Sequence, residues 1–188
     1  TEAIKSADNS ASYVNSSGFI IDGPEYLTIF NGQTGAAMQT VDYDPGRGDT
    51  TTWGKTSDKT NRVDRFLACT AYLDGVHPSL VTARGYYGKA IVVAYDWDGK
   101  NLNKRWRCDS TVSGYGSLAG QGNHNVSVAD LDGDGCDEIV YGSAAIDNDG
   151  TVAHSTGWGH GDAIHVSDFN NDGKQEIFGV LEEKPNWG

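Results

Sequence analysis

Asp130-Leu-Asp132-Gly-Asp134-Gly-Cys136-Asp-Glu138 and Asp168-Phe-Asn170-Asn-Asp172-Gly-Lys174-Gln-Glu176 are one acidic loop written twice, 38 residues apart. Oxygen-bearing side chains at positions 1, 3, 5 and 9 build a cage for a hard cation, calcium above all. Glycine at position 6 allows the sharp turn that returns those oxygens to one point. Cys136 and Lys174, at position 7, are counted with Asp130, Asp132, Asp134, Glu138, Asp168, Asn170, Asp172 and Glu176 as ligands. An EF-hand would carry a bidentate Glu at position 12, where this chain has Tyr141 and Gly179.

The flanks of both loops alternate as half-buried strands do: Asn125–Ala129 and Ala163–Ser167 before them, Ile139–Tyr141 and Ile177–Phe178 after them. Each unit therefore reads as strand, calcium loop, strand. A period near 40 residues is that of a propeller blade, so the expected fold is an all-β propeller with calcium-pinned hairpins. A degraded third copy at Ala71-Tyr-Leu-Asp74-Gly75-Val76 lacks two ligands and is expected to bind no metal. Tyr26–Gly32 and Ile91–Gly99 are apolar runs ending in hairpin turn signals, and Asp149-Gly150 marks a further turn. At 40–45 residues per blade, the chain holds about four blades, near 18–60, 61–110, 120–155 and 160–188, the last cut short. A sheet left open exposes unpaired edges, so the missing blades are expected from further sequence or a second chain.

Net charge −12 across 188 residues argues against nucleic acid, which requires a basic face. Two bound Ca²⁺ would bring the charge to roughly −8. No run of 18 apolar residues suggests a membrane span, and no charged-then-apolar leader opens the chain. Cys69, Cys108 and Cys136 are too few and too scattered for a disulfide framework or a zinc site, and are expected as buried free thiols.

Several longer phrases occur together: Gly23-Pro-Glu-Tyr-Leu-Thr28, Asn61-Arg62-Val-Asp64-Arg65-Phe-Leu-Ala68, Tyr72-Leu-Asp-Gly75, Arg84-Gly-Tyr86-Tyr87, Ala119-Gly-Gln-Gly-Asn-His-Asn125 and Gly159-His-Gly-Asp162. In this order they resemble the bacterial rhamnogalacturonan lyases of polysaccharide lyase family 11, over residues 18–188. The resemblance implies an eight-bladed propeller of which this chain is a part. It also implies calcium-dependent cleavage of rhamnogalacturonan I, a pectic polymer of alternating rhamnose and galacturonate, by β-elimination at C4 of galacturonate. The demanding step is removal of the C5 proton, α to a carboxylate that must gather further negative charge. Calcium on that carboxylate would act as a Lewis acid, and would let an acidic protein hold an acidic polymer.

Two histidine motifs precede the loop strands, and in a propeller such positions lie at the channel mouth. The resemblance groups His124, His160, Asp162 and Glu183 as ligands of a catalytic calcium. His160 and Asp162, two apart, would share one face of a strand. Histidine is an unusual ligand for a hard ion, and both histidines can equally hydrogen-bond strand ends. His124 has a competing role as general base, since imidazole titrates near working pH. Arg84 can clamp a carboxylate bidentately or serve a structural ion pair. Asn123 and Asn125 are candidate sugar contacts. Tyr86 and Tyr87 either stack on sugar or pack the interior. Asp64 is either a ligand or a partner of Arg62 or Arg65. His77 and His154 read as surface residues, and His165 as an inner-strand histidine. The alternative to an enzyme is a non-catalytic, calcium-stabilised binding module. The polymer substrate and the calcium affinity of such loops point to a secreted protein.

Overall fold

The computed structural model describes residues 11–54 and 62–182. The strands run in chain order as β1 (Tyr26–Phe30), β2 (Ala37–Asp42), β3 (Phe66–Ala71), β4 (Ser79–Arg84), β5 (Ile91–Trp97) and β6 (Leu102–Asp109). They continue as β7 (Ser127–Ala129), β8 (Glu138–Val140), β9 (Ala144–Ile146), β10 (Val152–Ser155), β11 (Gly161–Ser167) and β12 (Glu176–Leu181). All pairings between them are antiparallel, in four sheets ordered β1-β2, β3-β4-β5-β6, β10-β9-β8-β7 and β11-β12.

The all-β expectation stands, but the propeller does not. Among the described residues the strands form four small sheets, and no closed sheet or ring of blades is present. An acidic loop specifies the hairpin it closes, not how many strands lie beside it. The second loop joins a sheet of only two strands, while the four-stranded sheet β3–β6 contains neither complete loop.

β5 shows how the core is built. Its sequence Ile91-Val-Val-Ala-Tyr95 is apolar without alternation, as befits a strand covered on both faces. Because successive side chains point to opposite faces, Val92 and Ala94 enter one cluster and Ile91, Val93 and Tyr95 another. The first cluster joins the β3–β6 and β7–β10 sheets through Leu73, Val81, Ile139, Tyr141 and Ile146. The second packs Trp53 and Val63 against β5, with Leu27 of β1 at its margin. Hairpin turns follow the sequence signals. Asn31 Oδ1 accepts from the amides of Gln33 and Thr34, and Asp98 Oδ1 from those of Lys100 and Asn101.

Arg84 is wholly buried, and its guanidinium is filled. It donates to both carboxylate oxygens of Glu25 (2.6 and 2.9 Å), to Asp64 (3.2 Å) and to the carbonyls of Val63 and Pro45. Arg47 adds a second cation 3.2 Å from Glu25. The substrate-clamp reading of Arg84 is therefore corrected: its donors are consumed in a structural ion pair that ties the segment before β1 to β4. Asp64 is a partner of Arg84 and, at 4.0 Å, of Arg47, not of its sequence neighbours Arg62 and Arg65. The three cysteines are free, but only Cys108 is fully buried, whereas burial of all three is the sequence expectation. Burial pushes the thiols of Cys69 and Cys108 up to about 12, so neither is a nucleophile near neutrality.

Removing one member of a buried ion pair leaves its partner desolvated and under-compensated. Arg84→Met should therefore destabilise the fold by about 3 kcal/mol, read as a lower urea midpoint. A loss below about 1 kcal/mol would mean that the pair behaves like an exposed one.

Candidate functional site: a histidine pair between two sheets

The segment Gln121–Asn125 runs from one sheet to another and is stitched to β11 by side-chain amides. Asn123 Nδ2 donates to Ala163 O (3.0 Å), and Asn125 pairs with both backbone groups of Ile164, at 2.8 and 2.9 Å. A parallel bridge joins Asn123 to Gly161. Gly161 is required there, because a Cβ would collide with the backbone carbonyl of Val180 and also crowd the Asn123 amide. These bonds correct the reading of Asn123 and Asn125 as sugar contacts: their amides hold β11.

His124, between the two asparagines, is thereby set against His160. The two Nε2 atoms lie 3.1 Å apart. His160 is 1% exposed, and its Nδ1 is 2.5 Å from Gly122 O. A carbonyl can only accept, so Nδ1 carries the proton and, in the neutral ring, Nε2 keeps a lone pair directed at His124. Burial lowers the His160 pKa, which favours that neutral form. Glu182 Oε2 is 3.4 Å from His160 Nε2, and Tyr87 Oη is 2.9 Å from His124 Nε2. Tyr86 stacks on His160 with the rings 4° from parallel and the centroids 5.4 Å apart. Gly122 permits this closeness, since a Cβ would stand 2.5 Å from that of Tyr86.

An imidazole with Nδ1–H on a backbone carbonyl and Nε2 facing another nitrogen and a carboxylate has the wiring of a metal ligand. Asp162 departs from the expected geometry. A bulge between Gly161 and Ala163 breaks the alternation, and Asp162 Oδ1 approaches Nδ1 of His124 at 3.8 Å, away from the Nε2 pair. Glu183 lies outside the described residues, as does Asn61. Glu182, its neighbour, is not among the sequence candidates; the acidic pair at the end of an alternating strand is the signal that points to it. His165 is exposed on β11 rather than turned inward, and His77 and His154 are exposed.

The two acidic loops are wired alike. In each, the position-9 Glu accepts from the amide of position 2: Glu138 from Leu131 (2.6 Å) and Glu176 from Phe169 (2.8 Å). In each, the position-5 Asp accepts from the position-7 amide: Asp134 from Cys136 (2.7 Å) and Asp172 from Lys174 (3.0 Å). Ligand atoms of Asp130, Asp132 and Glu138 lie within 4.8 Å of one another, as do those of Asp168, Asp172 and Glu176. Asn170 donates to Asp172 and Glu176 at 3.2 Å. Glu138 is 3% exposed, its Oε1 has no hydrogen-bond partner, and burial raises its pKa. An orphaned buried carboxylate oxygen facing two aspartates is what a divalent cation would relieve, so these residues fit calcium. The degraded third turn behaves otherwise. The amides of His77 and Val76 and the His77 ring occupy the Asp74 carboxylate and hold it well below the usual range.

The geometry defines the class as an all-β domain that carries an imidazole–carboxylate cluster before two of its strands and two carboxylate-rich loops after them. The chain matches the rhamnogalacturonan lyase family 11 C-terminal domain over residues 3–187, and it belongs to that family. It is 55% identical over 177 residues to the rhamnogalacturonan exolyase YesX of Bacillus subtilis (strain 168), covering 94% of this chain and 29% of that protein. It is 51% identical over 176 residues to the rhamnogalacturonan endolyase YesW of the same organism, covering 93% and 28%. A solved Bacillus licheniformis rhamnogalacturonan lyase superposes with a TM-score of 0.87 at 53% identity, over 92% of this chain and 30% of that one. The chain thus spans under a third of the length of the curated relatives it matches.

Because His160 is held neutral, its contribution to stability is complete above the ordinary imidazole pKa of about 6.5 and is lost as pH falls through the lowered folded value. In EDTA, wild type should lose more stability than His160→Asn between pH 7.5 and 5, measured by urea denaturation. Parallel pH profiles would show that His160 is not the buried titrating group.

Proposed function

We propose that the protein carrying this chain is a calcium-dependent rhamnogalacturonan lyase that cleaves by β-elimination. The convergence of His124 Nε2, His160 Nε2 and Glu182 Oε2, in a chain of family 11, carries this reading. In the reaction the C5 proton of galacturonate passes to a general base, the C–H electron pair becomes the C4–C5 double bond, and the C4–O bond breaks with its electrons on the leaving sugar oxygen, which takes up a proton from an acid or water. Calcium, when bound, supplies positive charge to the uronate carboxylate as negative charge accumulates there.

The side chains of this chain provide the frame. His160 is fixed by Gly122 O on one edge and Tyr86 on one face, so its Nε2 is aimed before substrate arrives. His124, with Tyr87 at the same nitrogen, is the second nitrogen ligand, and Glu182 supplies the oxygen. In this reading His124 is a ligand and not the base, because a metal-bound lone pair cannot accept a proton. The loops Asp130–Glu138 and Asp168–Glu176 hold separate ions that stiffen the hairpins β7–β8 and β11–β12. The substrate is an extracellular polymer, and secretion follows from that reading.

The test is ultraviolet absorbance of unsaturated uronate with rhamnogalacturonan I. Absorbance should rise, stop on EDTA and resume with added Ca²⁺. His160→Ala should lower the rate roughly 100-fold or more, the scale of losing a group that organises developing charge. Retained activity in that variant, or indifference to EDTA, would refute the assignment.

The loop ions make a separate prediction. Calcium at about 100 times its Kd should stabilise the fold by roughly 2.7 kcal/mol per occupied site. Glu138→Gln should remove the share of the first loop, read as a smaller calcium-induced rise in Tm. An unchanged rise would mean that the orphaned carboxylate is not a ligand.

A further inference from the structure

Arg62 and Arg65 stand beside the histidine pair on the same aromatic support. The guanidinium of Arg62 lies 3.4 Å from the centroid of the Tyr87 ring, and that of Arg65 lies 5.9 Å from it. The same ring has its centroid 4.2 Å from that of His160, and its hydroxyl reaches His124. Both arginines are partly exposed. The acidic residue between them in sequence is no counter-ion for them, since Asp64 is engaged by Arg84 and Arg47. Arg65 Nε is buried without a hydrogen-bond partner among the described residues. The backbone of Arg65 also accepts from Gly85 N at 2.8 Å, so the start of β3 and the Tyr86–Tyr87 turn form one frame.

A guanidinium stacked on a ring uses its face and leaves its in-plane N–H donors free for a planar anion. A carboxylate matches that fork bidentately. The protein carries −12 overall and would repel a polyanion, so a local cationic rim has a defined task.

We propose that Arg62 and Arg65 form a carboxylate subsite, floored by Tyr87, that takes a uronate of the acidic polysaccharide beside the His124–His160 pair. The proposal rests on the lyase reading and adds a metal-independent determinant of specificity. It requires acidic over neutral sugar to be chosen even when no ion is bound.

The experiment is calorimetric titration of the protein in EDTA, where elimination is stopped, with a rhamnogalacturonan oligosaccharide and its carboxyl-reduced counterpart. Wild type should bind the acidic form about 10-fold or more tightly, the scale of a charge-assisted hydrogen bond to one ionised group. Arg62→Gln/Arg65→Gln should erase most of that preference while retaining affinity for the reduced form. Equal binding of the two oligosaccharides by wild type would overturn the subsite, whether or not the double variant folds. A preference that survives intact in the folded double variant would overturn it as well. The lyase reading is judged separately, by wild-type unsaturated-uronate absorbance with calcium. It can stand while the subsite falls, whereas a wild type that binds neither oligosaccharide removes the subsite even if turnover is seen.

Discussion

The amide stitches between residues 123–125 and β11 are the constraint on which the site depends. Strands of different sheets ordinarily have no hydrogen-bond ladder to set their register. Here Asn123 and Asn125 supply three side-chain bonds to Ala163 and Ile164, and a single parallel bridge completes the seam. The residue between the asparagines cannot slide relative to the residue before Gly161. His124 and His160 consequently face each other at 3.1 Å, a separation that flexible surface histidines would not maintain. Tyr141 reinforces the arrangement from below by donating to Gly85 O, which fixes the turn carrying Tyr86 and Tyr87. The seam and the turn together make a preorganised cluster from four short segments.

The acidic groups are managed in three distinct ways. Glu25 and Asp64 are matched by buried arginine, which knits the β1 segment to the main sheet. Asp74 and Asp98 are satisfied by backbone amides in tight turns and need nothing further. Glu138 belongs to neither group: one oxygen caps Leu131 and the other is buried and unmatched. That buried oxygen, close to the carboxylates of Asp130 and Asp132, is the physical reason to place a cation in that loop. The loop is also anchored from outside, because Asp137 accepts from Tyr72 N at 2.7 Å and joins it to the β3–β4 turn.

Much of the local structure was legible because it follows side-chain chemistry. The alternating flanks became β7, β8, β11 and β12, and the Asx-rich signals at Asn31 and Asp98 became hairpin turns. The double loop indicated where carboxylates would gather, though it overstated the architecture, since closure into a ring is set by packing between sheets that no local repeat encodes. The histidine motifs pointed to the correct segments but not to the contacts. Asn123 and Asn125 looked like ligand-facing amides because an amide pairing with a foreign backbone has no sequence signature. Arg84 looked available because nothing local shows that Glu25, 59 residues earlier, would occupy it. Asp162 was misplaced by a bulge, which shifts alternation without altering composition.

The most direct measurement is nitrogen-resolved NMR of the imidazole rings during calcium titration of the EDTA-treated protein. Before calcium, His160 should show a protonated Nδ1 and an unprotonated Nε2. On titration the Nε2 resonances of His124 and His160 should shift together, while those of exposed His77 and His154 stay in place. Shifts confined to the amides of Asp130–Glu138 and Asp168–Glu176, with both imidazoles unchanged, would contradict the central claim that the histidine pair is itself a metal site.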